Sequence, residues 1–304
     1  MKDLIINGTY RVDYKIGQGL GGCGLVYAGT DVRTKESVAI KLMRHEYVGQ
    51  LEKEAEIYQA LSNGVGIPQV SWHGEEGDYF VLVLDLLGPS LESLLNYCRR
   101  RLSLKTILLI ADQTISQVEY IHSKGFLHGD IKADNFVMGT GKHGNTLYTI
   151  DFGLAQEHSG THKVRHVGIH RIGGPGESAS LRSHYGHAAS WCDDLESLGY
   201  MFTYLSRGSL PWEAKSGVSW EENEEMIKEK KTNLPVNTIC EGLPKEFVTY
   251  INYTRSLQFG DKPDYAYLRQ LFRRLFRHEG FKNDNIYDWT VRRFHEVQSR
   301  ASGP

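Results

Sequence analysis

The chain has 304 residues, 40% hydrophobic and 24% charged, proportions that fit a globular protein and exclude wholesale disorder. Its 35 Lys and Arg against 37 Asp and Glu give a formal net charge of −2, which excludes a histone-like nucleic-acid binder. Its four cysteines, Cys23, Cys98, Cys192 and Cys240, form no CxxC pair, and no apolar run approaches a membrane span. A soluble, reduced, intracellular protein without a zinc ribbon or disulfide framework is therefore expected.

The first stretch reads as strands: YRVDYKIG (10–17), LVYAGTDV (25–32) and SVAIKLM (37–43), short and rich in β-branched and aromatic residues. Residues 49–63 then read as a helix, with Leu51, Ala55, Tyr58 and Leu61 on one apolar face. GDYFVLVLDLLG (77–88) returns to strand. After Gly88 the pattern turns helical: Leu104, Leu108, Ala111, Ile115 and Val118 recur at three- and four-residue intervals up to a stop at Gly125. Near the end Leu268, Leu271, Phe272, Leu275 and Phe276 repeat that period, with arginines on the opposite, solvated face. The interval from about Gln156 to Trp191 is rich in Gly, His and Ser without period, and reads as a long functional loop.

Chemistry-bearing motifs sit between these elements. Gly17, Gly19, Gly21 and Gly24 precede Val26; a backbone that approaches polyphosphate closely has no room for side chains and turns its N–H groups to the anion. A dinucleotide fold would open a helix after such glycines, whereas LVYAGTDV is strand-like. A glycine-rich hairpin without a ligand is the plain alternative. VAIK ends on Lys41, which can bridge phosphates to an acid on the following helix. Glu54 is preferred, because its register turns Ile57 and Tyr58 into the core, with Glu56 as the alternative. HGDIKADN (128–135) and TIDFGLA (149–155) carry the strongest signal. Asp130 can accept the proton of an attacking hydroxyl and Lys132 can neutralise charge on the γ-phosphate. Asn135 and Asp151 offer hard oxygen ligands to Mg²⁺.

With these motifs in order, the chain resembles a eukaryotic protein kinase and, more narrowly, the casein kinase 1 family, from Tyr10 to about Phe294. The most specific stretches are GVGIP (64–68), LLGPSLESLLNYC (86–98), ADQTISQVEYIHSKGFLH (111–128), DDLESLGYMF (193–202), RGSLPW (207–212) and DKPDYAYLRQLFRRLF (261–276). The resemblance implies one α+β kinase domain over 1–304: an antiparallel-sheet N-lobe with one main helix (10–86) and a larger, mostly helical C-lobe (87–298). It implies ATP and Mg²⁺ and transfer to Ser or Thr of protein substrates. Separately, a monomer without nucleic-acid or membrane partners and a cytoplasmic or nuclear location are expected. It also implies that Leu84 is the gatekeeper and that Asp85 to Leu87 form the hinge, with backbone groups of Asp85 and Leu87 facing the base. Ile16, Val26, Ala39 and Val137 would sandwich the adenine, and Asp194 would anchor the catalytic-loop backbone.

Four departures qualify the resemblance. The glycine loop is two residues longer than usual in the family. Gly129 and Ala133 replace the usual Arg and Pro, giving HGDIKA, similar to the vaccinia-related kinases. The family's Gly-Thr-x-Arg-Tyr stretch aligns with 174–178, so a threonine hydroxyl becomes Pro175 and an arginine becomes Glu177. Where the family carries a basic run, this chain has WEENEE (220–225). Negative charge at the aligned positions predicts that recognition of primed, phosphorylated substrates is lost, unless Lys163, Arg165 or Arg171 rebuilds an anion pocket. A nucleotide-binding pseudokinase acting as a scaffold is the alternative. Of two lesser features, His158, His162, His166 and His170 recur every four residues and read as a histidine-rich loop rather than a metal site. Cys23, in the glycine loop, is a possible redox handle.

Overall fold

The computed structural model describes residues 4–18, 24–158 and 176–301. Gly19, Gly21, Cys23, Pro175, His162, His166 and His170 lie outside the described residues, as do Lys163, Arg165 and Arg171. The chain divides into two units: one runs to Gly88 and takes in Val137–Ala155, the other holds Pro89–Phe136 and the described residues from Gln156 on.

In the first unit β1 (Ile5–Ile6), β2 (Tyr10–Gln18), β3 (Gly24–Asp31) and β4 (Ser37–Arg44) precede α1 (Val48–Ala60), followed by β5 (Val70–Glu76) and β6 (Tyr79–Asp85). They form one antiparallel sheet in the order β1-β2-β3-β4-β6-β5. Strand residues alternate between two faces. One face buries Tyr10, Val12, Tyr27, Val38, Ile40, Leu42, Val81 and Val83. On the other, Val26 stands opposite Lys41 and Ala39 opposite Leu84, which gathers these four side chains on one surface. α1 packs against β4, β5 and β6, and its apolar face, Leu51, Ala55, Tyr58 and Leu61, is buried as its spacing predicts. Sequence periodicity missed β5, because VSWHGEE is an edge strand that needs one hydrogen-bonded neighbour and no alternating apolar face. Val137–Ala155 joins this unit through main-chain bonds: Gly88 N–H donates to Met138 O at 2.7 Å and Thr149 N–H to Gly66 O at 2.8 Å.

The second unit is helical: α2 (Leu91–Tyr97), α3 (Leu104–Ser123), α4 (Leu181–His184), α5 (Trp191–Arg207), α6 (Trp220–Asn233), α7 (Val236–Ile239), α8 (Lys245–Ser256), α9 (Tyr265–His278) and α10 (Asp288–Ala301). The Ser103 side chain caps the N-terminus of α3 by accepting from Thr106 N–H. Gly125, just past the C-cap Lys124, has a left-handed φ of +82° that turns the chain out of the helix. α3 packs on α5 and α9, and α5 on α8. Phe272 of α9 meets Phe202, Phe247 and Tyr250 with ring centroids 5.1–5.7 Å apart. The arginine face of α9 is only partly solvated, since Arg269 and Arg273 both pair with Asp112 of α3. The loop expected from Gln156 holds structure at both described ends: Gln156–Glu157 pairs antiparallel with Phe126–Leu127, and α4 follows Ser180. The α+β architecture is the expected one. No helix among the described residues is long and apolar enough to cross a membrane.

Candidate active site

Two clusters of polar side chains stand out, one in each unit. In the first, Lys41 Nζ on β4 donates to both carboxylate oxygens of Glu54, at 2.9 and 2.7 Å, and to Asp151 Oδ1 at 2.9 Å. Glu56 is exposed, so α1 presents Glu54 inward as its register predicts. Burial alone would discharge the Lys41 ammonium, but Glu54 and Asp151 outweigh it and hold the lysine charged well above its ordinary range. Asp151 has a left-handed backbone, φ +66°, which a short polar side chain tolerates. Its N–H donates to the Tyr58 hydroxyl at 2.9 Å, and the Tyr58 ring meets Phe152 edge-on at 4.9 Å. The sequence showed Tyr58 only as a core residue; nothing in the helical spacing signals that its hydroxyl pins Asp151.

The face that carries Lys41 also carries Val26, Ala39 and Leu84, and Val137 lies buried in the same unit. Gly17 pairs with Val26 beside a β2 irregularity that includes Ile16, which is exposed. Gly24 opens β3 opposite Met43. Asp85 N–H donates to Gln69 O and its carboxylate accepts from Gln69 N–H, which fixes the end of β6 ahead of Leu86 and Leu87.

In the second unit the loop 128–135 folds on itself. Asp130 Oδ2 accepts from Lys132 Nζ at 2.7 Å and from Asn135 Nδ2 at 2.8 Å, and Asn135 Nδ2 also donates to Asp130 O at 2.8 Å. Both of the bonds that Asn135 makes to Asp130 come from its amide nitrogen, so the planar amide turns its oxygen away from Asp130. An amide oxygen at Asn135 and a carboxylate at Asp151 are hard donors that suit Mg²⁺. Among the described residues, no cluster of three or more His, Cys, Asp or Glu forms a self-contained metal site. His158 is buried edge-on against Trp191 and Phe259.

Asp194, at the start of α5, holds this loop from behind. Its carboxylate accepts from His128 N–H at 2.7 Å and Gly129 N–H at 2.9 Å, and lies 2.9 Å from His122 Nε2, whose Nδ1 meets the Tyr265 hydroxyl at 2.7 Å. Gly129 has φ +77°, a conformation that glycine adopts without steric cost. Burial pushes the Asp194 carboxyl up, but the His122, His128 and Gly129 groups more than offset it and hold it below the usual carboxylate range. A depressed folded pKa gives stability that is complete above the unfolded value, about 3.9, and is lost as pH falls through the folded one. Asp194→Asn is therefore expected to be less stable than wild type at neutral pH, with the gap closing only as pH falls below about 4 and through the folded value in denaturant titrations. A gap that stays constant over that window contradicts this account.

The two acidic departures are tied into the structure. The Glu177 carboxylate accepts from Ala214 N–H at 2.6 Å, and its main-chain oxygen accepts from Trp212 Nε1 at 2.9 Å. In the WEENEE run Glu222 completes a capping box with Ser219, Glu225 pairs with Lys228, and Glu224 accepts from Gly176 N–H. Compared with models of known families, residues 10–255 match the protein kinase domain.

Proposed function

Because the chain belongs to the protein kinase domain family, whose members in general use ATP and Mg²⁺ on protein substrates, we propose that it is a casein kinase 1-like kinase that phosphorylates Ser and Thr. The observation that carries this reading is the Lys41–Glu54–Asp151 set, in which Lys41 and Glu54 are buried and the Asp151 side chain is 21% exposed. Charged groups taken this far out of water cost several kcal/mol unless they serve each other and a ligand, and a chain that no longer handled phosphate would do better with apolar side chains there.

In this reading Lys41, oriented by Glu54, takes the nucleotide phosphates. Val26, Ala39, Leu84 and Val137 offer the adenine an apolar surface, with the main chain of Asp85 and Leu87 as its polar edge. Asp130 accepts the proton of the incoming hydroxyl, and Lys132 offsets negative charge on the transferred group. Asn135 and Asp151 are the residues suited to hold Mg²⁺, which supplies charge neutralisation of the phosphates when bound. The work is positioning and electrostatics, which is what rigid side-chain networks provide.

Substrate choice is proposed to be independent of phosphorylated or acidic priming. Glu177 stands where the family has an arginine, and its carboxylate is held by Ala214 N–H rather than left to swing away. Radiolabelled ATP with casein and with a basic protein tests the activity, and a peptide array tests selectivity. Transfer with no enrichment of phosphoserine or Asp three residues before the target is expected; strong enrichment there ends the selectivity claim. ATP with Mg²⁺ at 100 times its dissociation constant should stabilise the fold by about 2.7 kcal/mol. Stabilisation without transfer to any protein would instead make this chain a nucleotide-binding scaffold.

A further inference from the structure

α6 carries a lysine that packing does not require. Lys231 is fully buried, yet its ammonium has three partners: Gly176 O at 2.7 Å, Ala179 O at 2.6 Å and His184 Nε2 at 3.1 Å. The Tyr200 and Trp212 rings flank it at 5.1 and 5.2 Å. Glu224 lies two helical turns earlier, on the same face of α6. It accepts from Gly176 N–H and stands 3.4 Å from His184 Nδ1. One helix therefore takes hold of both polar groups of the Gly176 peptide backbone, and His184 of α4 braces the two gripping side chains. A Cβ at Gly176 would stand 3.1 Å from Glu224 Oε1 and from His184 Cε1, so any larger residue there would have to push the two gripping side chains back by a few tenths of an ångström.

The charge is costly where it sits. Burial brings the Lys231 ammonium down to about 7, with Arg255 of α8 acting in the same direction, against the pull of Glu196 on α5, Glu224 on α6 and Glu177. A leucine or methionine would fill the same space between the aromatic rings without that cost. What an apolar side chain cannot do is donate to two carbonyls of an irregular segment that no regular ladder satisfies. Pro175, at the head of that segment, has no N–H to anchor it, so its first main-chain donor is Gly176.

We propose that Glu224, His184 and Lys231 are positioning residues, a clamp that fixes Gly176–Ser180 as the seat for the substrate polypeptide. The clamp rests on the kinase reading above and deepens it: it governs how tightly protein substrate is held, leaving the nucleotide side unaffected. Glu177, bonded to Ala214 and Trp212, holds the same segment from the RGSLPW side.

Lys231→Met tests it, because methionine keeps the volume between the rings and removes the donors. The KM for protein substrate is expected to rise about tenfold or more, with the KM for ATP unchanged. Amide hydrogen exchange over 176–181 should accelerate while unfolding stability is kept or raised. Glu224→Gln, which acts at the other end of the clamp, should split the two KM values in the same direction. A purely structural lysine predicts the reverse: lower stability, with both KM values and segment exchange as in wild type, and that result overturns the proposal. If wild type transfers no phosphate to any protein, the kinase reading has failed. The exchange rates of Lys231→Met then still decide the clamp, and unaltered protection over 176–181 rejects it.

Discussion

Asp130→Asn is expected to bind ATP as wild type does and to transfer phosphate about 10²–10⁴-fold more slowly, the range that a positioned proton acceptor contributes. The substitution is close to isosteric. An asparagine oxygen can still accept from Lys132 Nζ or Asn135 Nδ2, which now bond the Asp130 carboxylate at 2.7 and 2.8 Å, so the loop keeps its shape. What goes is the basic oxygen that takes the hydroxyl proton, together with the negative charge that draws Lys132 into place. The measurement is steady-state transfer from radiolabelled ATP beside a thermal shift with ATP and Mg²⁺. An unchanged thermal shift with a collapsed kcat is the expected pair of results. A variant within tenfold of wild type would remove Asp130 from the mechanism, and a lost thermal shift would give it a structural role instead.

Lys41→Met is expected to damage stability as well as activity. Without the ammonium, Glu54, whose side chain is 2% exposed, and Asp151 remain as two carboxylates with no cation between them. Removing one partner of a buried ion pair costs about 3–5 kcal/mol. The loss should depend on pH in a definite direction. Burial pushes the Glu54 carboxyl up and Asp151 pushes it further, while Lys41 is the main group that pulls it down, with a smaller pull from the Phe152 N–H. In the variant the Lys41 pull is gone and the upward influences dominate, so the folded state binds a proton more readily than the unfolded chain, and stability rises as pH falls through the folded value. Denaturant unfolding at pH 7.5 and 5.5 should show the gap between variant and wild type narrowing in acid. An equal gap at both pH values would falsify the claim that an unpaired Glu54 carboxylate is the cause.

Local spacing made some of this site legible and left other parts hidden. Asp130, Lys132 and Asn135 lie within six residues, so one short loop brings them together whatever surrounds it. Lys41 and Glu54 were readable because a strand followed at once by an amphipathic helix leaves few registers, and burying Ile57 and Tyr58 selects the one that turns Glu54 inward. The Tyr58 hydroxyl on Asp151 N–H spans 93 positions, and the bond from His128 N–H to Asp194 spans 66. No periodicity encodes such pairings. Residue type told only part as well: the acidic departures read as negative charge that repels a phosphorylated substrate, and in the fold the Glu177 and Glu224 carboxylates also accept main-chain N–H groups. β5 was missed for a related reason, since an edge strand is made by its neighbour β6 rather than by its own pattern.

By itself the amino-acid order determined the α+β class, the order of the motifs and the candidate groups proposed to handle phosphate, because these follow from hydrophobic period and short-range spacing. Only the tertiary structure decided which polar groups are satisfied by which. Lys231 shows the difference most plainly: in the sequence it is one of three lysines between 228 and 231, and in the fold it is sealed from water against two main-chain oxygens. Burial and hydrogen-bond direction are properties of distant segments packed together, and those turn an ordinary cation into an anchor.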